Sequence, residues 1–83
     1  MTWDELCDKF ETMGLELSCY EVENNGNDGF SFDIIDDCYT VFTSSTDFGT
    51  FDGMTRYINK NWEWILKCIL DYYDKRRKVE QGI

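Results

Sequence analysis

The chain predicts an α+β fold in the order α-β-β-β-α, a three-stranded antiparallel meander with both helices on one face. Three observations carry this expectation: an apolar repeat of 3.6 residues near each end of the chain, an apolar repeat of 2 between them, and two clusters of turn-forming residues that cut the middle into three pieces. Eighty-three residues can bury one core but not two, and 42% apolar with 17% aromatic side chains is too much core material for a disordered segment. One domain over residues 1–74 is expected, followed by a frayed basic tail over residues 75–83.

Thr2 and Glu5 have the spacing of a capping box, in which hydroxyl and carboxylate each satisfy an otherwise unpaired backbone N–H, so the first helix should start there. Trp3, Leu6, Cys7, Phe10 and Met13 then fall on one helical face, Asp4, Glu5, Asp8 and Glu11 are left to water, and Gly14 supplies a left-handed stop. Beyond it Leu15, Leu17 and Cys19 alternate with Glu16, Ser18 and Tyr20, which reads as a strand. The run Asn24 to Gly29 is all turn formers, and Phe30, Phe32 and Ile34 resume the alternation after it. Asp36-Asp37 interrupts again before Cys38 to Thr43, whose β-branched and aromatic residues suit a third strand. Ser44 to Gly53 mixes small polar residues with Phe48 and Phe51, and Asp52 or Gly53 can cap a closing helix. From Met54, Tyr57, Ile58, Trp62, Ile65, Leu66, Ile69, Tyr72 and Tyr73 repeat at 3.6, with Trp64 and Cys68 widening the stripe, until Lys75-Arg76-Arg77-Lys78 ends the pattern with cations suited to a helix C-terminus.

The chemistry-bearing residues exclude more than they assert. Cys7, Cys19, Cys38 and Cys68 stand 12, 19 and 30 positions apart with no C-x-x-C pair, and the chain has no histidine, so no zinc motif is present. Without an N-terminal leader or a long apolar run, the four cysteines are expected to be reduced and buried in a cytoplasmic protein. The absence of histidine also removes the usual general base, and no cysteine or carboxylate pair has a spacing that suggests an enzyme; no cofactor is expected. The polar loop fails as a calcium-binding EF-hand, because aligning either Gly26 or Gly29 as the central glycine places Phe32 or Ile35 where a glutamate is needed.

Charge is the strongest remaining signal. Residues 1–55 hold 13 acids and one base, Lys9, whereas residues 56–83 hold four acids and seven bases; the whole chain carries −9. That balance argues against direct binding of nucleic acid or of an anionic membrane. The element order also occurs in double-stranded RNA-binding domains, but those place cations at the start of the second helix, where this chain has Asp52-Gly53-Met54-Thr55-Arg56. Carboxylates on a rigid sheet can instead enter a basic groove built for phosphates, since arginine and lysine grip both groups similarly. Glu21 and Glu23 lie two apart on a strand, about 6.6 Å along it, a spacing comparable to successive phosphates. With Asp28, Asp33, Asp36, Asp37, Asp47 and Asp52 they form the expected contact set for a basic nucleic-acid-binding partner.

In size, acidity, element order, Asn/Asp/Gly-rich hairpin and aromatic closing helix the chain resembles the small acidic phage-encoded anti-CRISPR proteins. The resemblance implies a nucleic-acid mimic that blocks the DNA-binding groove of a Cas-type effector such as Cas9, where arginines read a short recognition sequence. It rests on architecture and charge, with no shared motif, so no residue role transfers from it. The alternative is a non-catalytic interaction or oligomerising module of a phage or mobile element that uses surplus aromatics, with Trp64 and Tyr73 as its contact residues.

Overall fold

The computed structural model describes residues 1–24, 26–44 and 46–81, and its elements run α1 (Trp3–Thr12), β1 (Glu16–Asn24), β2 (Asn27–Asp36), β3 (Tyr39–Thr43), α2 (Phe51–Lys60) and α3 (Trp62–Gln81). The order is α-β-β-β-α with the closing helix divided in two, and the sheet is antiparallel with β2 central. No helix among the described residues is long and apolar enough to cross a membrane.

α1 begins as its capping box requires. The Glu5 N–H donates to Thr2 Oγ1 at 3.2 Å and the Thr2 N–H donates to Glu5 Oε1 at 3.0 Å. The Thr2 N–H on the carboxylate, and then the Thr2 hydroxyl, hold the Glu5 pKa below its ordinary value. Gly14, at φ 76°, ends the helix in the left-handed region and turns the chain into β1. Thr2→Ala should cost about 0.5–2 kcal/mol through loss of the cap. An unchanged urea midpoint would show that the packing of Leu6 and Phe10 alone sets the helix start.

β1 and β2 pair without interruption from Glu16↔Ile35 to Asn24↔Asn27. The turn is therefore much tighter than the six-residue cluster expected from sequence: Asn24, Asn27, Asp28 and Gly29 belong to the strands, and Gly26, at φ 81°, takes the left-handed conformation that a two-residue hairpin needs. Asn25, which falls in that cluster, and Ser45, in the polar stretch from Ser44 to Gly53, lie outside the described residues. The second turn is equally short, pairing Asp36 with Tyr39 and placing Asp37 at φ 55°, a conformation that aspartate tolerates better than most side chains. A bulge between Ile34 and Ile35 then leaves Val41 as the extra residue of β3 and buries it. Past β3 the chain keeps to the same side of β2: the Ser44 N–H donates to Phe32 O, and Phe30 and Phe48 exchange both backbone bonds at 2.7 Å. Gly29 permits that crossing, because a β-carbon there would stand 3.0 Å from Phe48 O.

The core takes Leu6 and Phe10 from α1, Leu15, Leu17, Phe32, Ile34 and Val41 from the sheet side, Met54 and Ile58 from α2, and Ile65 and Ile69 from α3. Phe32 is its centre, with the rings of Phe42 at 5.7 Å, Phe48 at 6.2 Å and Tyr57 at 6.4 Å. Ser31 is buried as well, and Ser44 Oγ lies 2.5 Å from its hydroxyl while accepting from the Phe32 N–H.

Several sequence expectations are corrected here. The closing helix breaks at Asn61, whose backbone N–H and side-chain amide both donate to Tyr57 O, at 3.0 and 2.9 Å; α3 starts afresh with the Ile65 N–H on Asn61 O. Thr50, rather than Asp52 or Gly53, caps α2, accepting the Gly53 N–H at 3.0 Å. Lys75 to Lys78 lie inside α3, which runs on to Gln81, instead of in a tail beyond it. Met13 is exposed, since Gly14 has already turned the chain away. The four thiols are free, but only Cys7 and Cys68 are even half-buried. Cys19 is exposed on the edge strand and Cys38 sits in the second turn, so neither is the core residue its apolar neighbours suggested.

Candidate functional site

β2 sorts the eight expected acidic contacts into separate places. At its Asn27 end Glu23 stands directly opposite Asp28, and Glu21 follows two residues back, opposite Phe30. Asp47, on the crossing segment, has its Cβ 3.8 Å from where a β-carbon of residue 29 would lie, and so stands with Val22 on the opposite face of the sheet from Glu21, Glu23 and Asp28. All four side chains are exposed, and among the described residues none has a hydrogen-bond or ion-pair partner. Like charges facing each other across a sheet repel, and Glu23 stands directly opposite Asp28.

The other four acids are occupied or distant. Asp33 lies mid-sheet on the face away from the core and accepts from the Thr43 hydroxyl at 2.6 Å and the Tyr20 hydroxyl at 3.5 Å. Asp52 pairs with Arg56 at 3.0 Å, one helical turn on, in a fully solvated pair worth little. Asp36 and Asp37 sit at the far end of β2, roughly 26 Å from Asp28 by strand rise. There Asp36 accepts from the Tyr73 hydroxyl, and Arg76 lies over the Tyr39 ring at 3.7 Å. Asp36, Asp37, Arg76 and Arg77 share one shallow concavity with Tyr39 and Tyr73, so acids and bases meet there. The expected set is thus one unpaired cluster at the hairpin end, Glu21, Glu23 and Asp28, with Asp47 on the opposite face and Asp33, Asp36, Asp37 and Asp52 outside it.

α1 adds carboxylates that sequence reading left as ordinary solvated residues. Cys7 lies near Cys19 of β1, and burial, then the neighbouring Asp4, Cys19 and Asp8, push its thiol pKa up. Asp4, Asp8 and Glu11, spaced 4 and 3 along the helix, continue outward from Cys7 as one exposed stripe. Nothing in the sequence joined that stripe to Glu21 and Glu23, because their neighbourhood depends on α1 lying along β1.

The aromatic pair stands differently. Trp64 is half exposed, with its ring edge-on to Phe42 at 5.8 Å. Tyr73 is half-buried and already bound to Asp36. Burial and then the Asp36 bond push the Tyr73 pKa up to about 12 from 10.0. The native chain therefore holds this proton more tightly than the unfolded one. The resulting stabilisation is complete below pH 10 and is lost as pH rises from about 10 to about 12. Comparing alkaline unfolding of the wild type with Tyr73→Phe should show an excess slope only in the wild type; identical slopes would mean that Asp36 does not hold the phenol.

No family model matches the chain, and neither curated proteins nor solved structures yield a match.

Proposed function

We propose that the protein is an acidic, phage-type inhibitor that mimics nucleic acid and occupies the basic DNA- or RNA-binding groove of a host defence nuclease of the Cas type. The observation behind this reading is the carboxylate cluster at the hairpin end, where Glu23 and Asp28 face each other with no ion-pair partner among the described residues. A free protein loses stability by such an arrangement, and a partner that supplies arginines and lysines reverses the sign of the effect. The strands carry the carboxylates on a hydrogen-bonded frame, so they lose little freedom when bound. Arg76 and Arg77 of α3 lie beside Asp36, at the other end of β2 from the cluster. Such an inhibitor would act in the cytoplasm of the infected cell, where exposed Cys19 and Cys38 would stay reduced.

The test is the salt dependence of binding to a purified Cas-type effector. Affinity should fall about tenfold or more between ~50 and ~200 mM salt, as screening weakens attraction between solvated charges. Affinity indifferent to salt, and abolished by Trp64→Ala in a folded protein, would replace this reading with the aromatic interaction module.

A further inference from the structure

We propose that the outer edge of β1 accepts an extended, lysine- or arginine-rich segment of a protein partner as a fourth, antiparallel strand. The proposal borrows from the reading above only the sign of the partner's charge, and it does not require that partner to bind nucleic acid.

The backbone bonds on the other side of β2 fix which groups of β1 are open. Phe30 and Phe32 direct their backbone groups toward Phe48 and Ser44, away from β1. In an antiparallel pair, residues directly opposite one another point their N–H and C=O groups either both inward or both outward. Glu21 is opposite Phe30 and Cys19 opposite Phe32, so Glu21 and Cys19 direct theirs to the free edge, and alternation adds Leu17 and Glu23. Among the described residues, no group of the chain bonds to these four backbones. Four successive donor and acceptor pairs thus line a straight edge in a nine-residue strand whose pairing has no bulge. β3 offers no equivalent, being five residues long and bulged.

Side chains select the occupant. On the helix side of β1 the exposed positions beside the edge are Cys19, Glu21 and Glu23, with the Asp4, Asp8 and Glu11 stripe of α1 beyond Cys7. On the opposite side stand Tyr20, exposed, and half-buried Val22. An incoming strand alternates between these two environments. The residues it sets on the helix side should be cationic, and those between them apolar. A second copy would bring another −9 chain with the same acids to the same edge, which like-charge repulsion opposes. Nucleic acid shares the charge of this face, which disfavours it as the occupant.

The probe is a synthetic peptide alternating lysine and valine over seven residues, tested on the full chain. In the antiparallel arrangement the lysines lie opposite Cys19, Glu21 and Glu23 and turn their own N–H groups to β1, whereas the valine N–H groups point away. N-methylating the lysines should weaken binding tenfold or more with charge intact, and N-methylating the valines should leave it within about twofold. The amides of Cys19 and Glu21 should exchange rapidly in the free protein and slow at least tenfold in the complex, while those of Ser18 and Tyr20 are slow in both. No binding of the parent peptide, any other ranking of the methylated pair, or binding without protection of Cys19 and Glu21 would overturn the proposal. Loss of competition with nucleic acid would overturn only the mimic reading, so the two failures are distinguishable.

Discussion

Phe32→Ala should lower stability by about 3–5 kcal/mol, the usual cost of removing a fully buried phenylalanine ring. Phe32 has no exposed surface, and the rings of Phe42, Phe48 and Tyr57 close around it from β3, the crossing segment and α2. Those neighbours come from different elements, each held in place by its own backbone bonds, so the space can collapse only in part. A chain of this length has a total stability of roughly 4–12 kcal/mol, which leaves the variant marginal or unfolded at 37 °C. Urea unfolding checks this through a large fall in midpoint at unchanged slope. A loss below about 1 kcal/mol would mean that the ring cluster is not the structural centre.

The charge variant Glu21→Gln, Glu23→Gln and Asp28→Asn should move binding and stability in opposite directions. Affinity for a basic nucleic-acid-binding partner should fall by about 2–5 kcal/mol where a desolvated charge pair is broken, and by much less for contacts at the rim. Relief of the Glu23–Asp28 repulsion should meanwhile raise stability by roughly 0.2–1 kcal/mol. Asp33→Asn and Asp52→Asn are the controls, because those carboxylates already have partners on the sheet or on α2. Equal losses from the cluster and the controls would show that net charge matters and its placement does not.

Local chemistry made much of this fold legible. The Thr2 and Glu5 capping box, the Gly14 stop and the alternation of Leu15, Leu17, Phe32 and Ile34 each depend on neighbours close in sequence, and each appears where the residues place it. The division at Asn61 was hidden because the apolar repeat runs across it unbroken; only the asparagine's bonds to Tyr57 O end one helix and begin another. Cys19 continues the pattern of Leu17, but exposure on an edge strand depends on how far the helices reach over it. The contact set was legible as composition and not as placement. Spacing along the chain could not say that Asp36 would meet Tyr73, 37 residues away, or that Asp47 would cross beside Gly29.

The most direct test of nucleic-acid mimicry is displacement: a complex of this protein with a Cas-type effector is titrated with the effector's own DNA or RNA at fixed low salt. Shared occupancy of the basic groove predicts that the nucleic acid releases the protein in full, with an apparent affinity that weakens in proportion to nucleic-acid concentration, and that the Glu21, Glu23 and Asp28 variant is released at far lower concentrations. Formation of a ternary complex, with the protein retained at saturating nucleic acid, would contradict it.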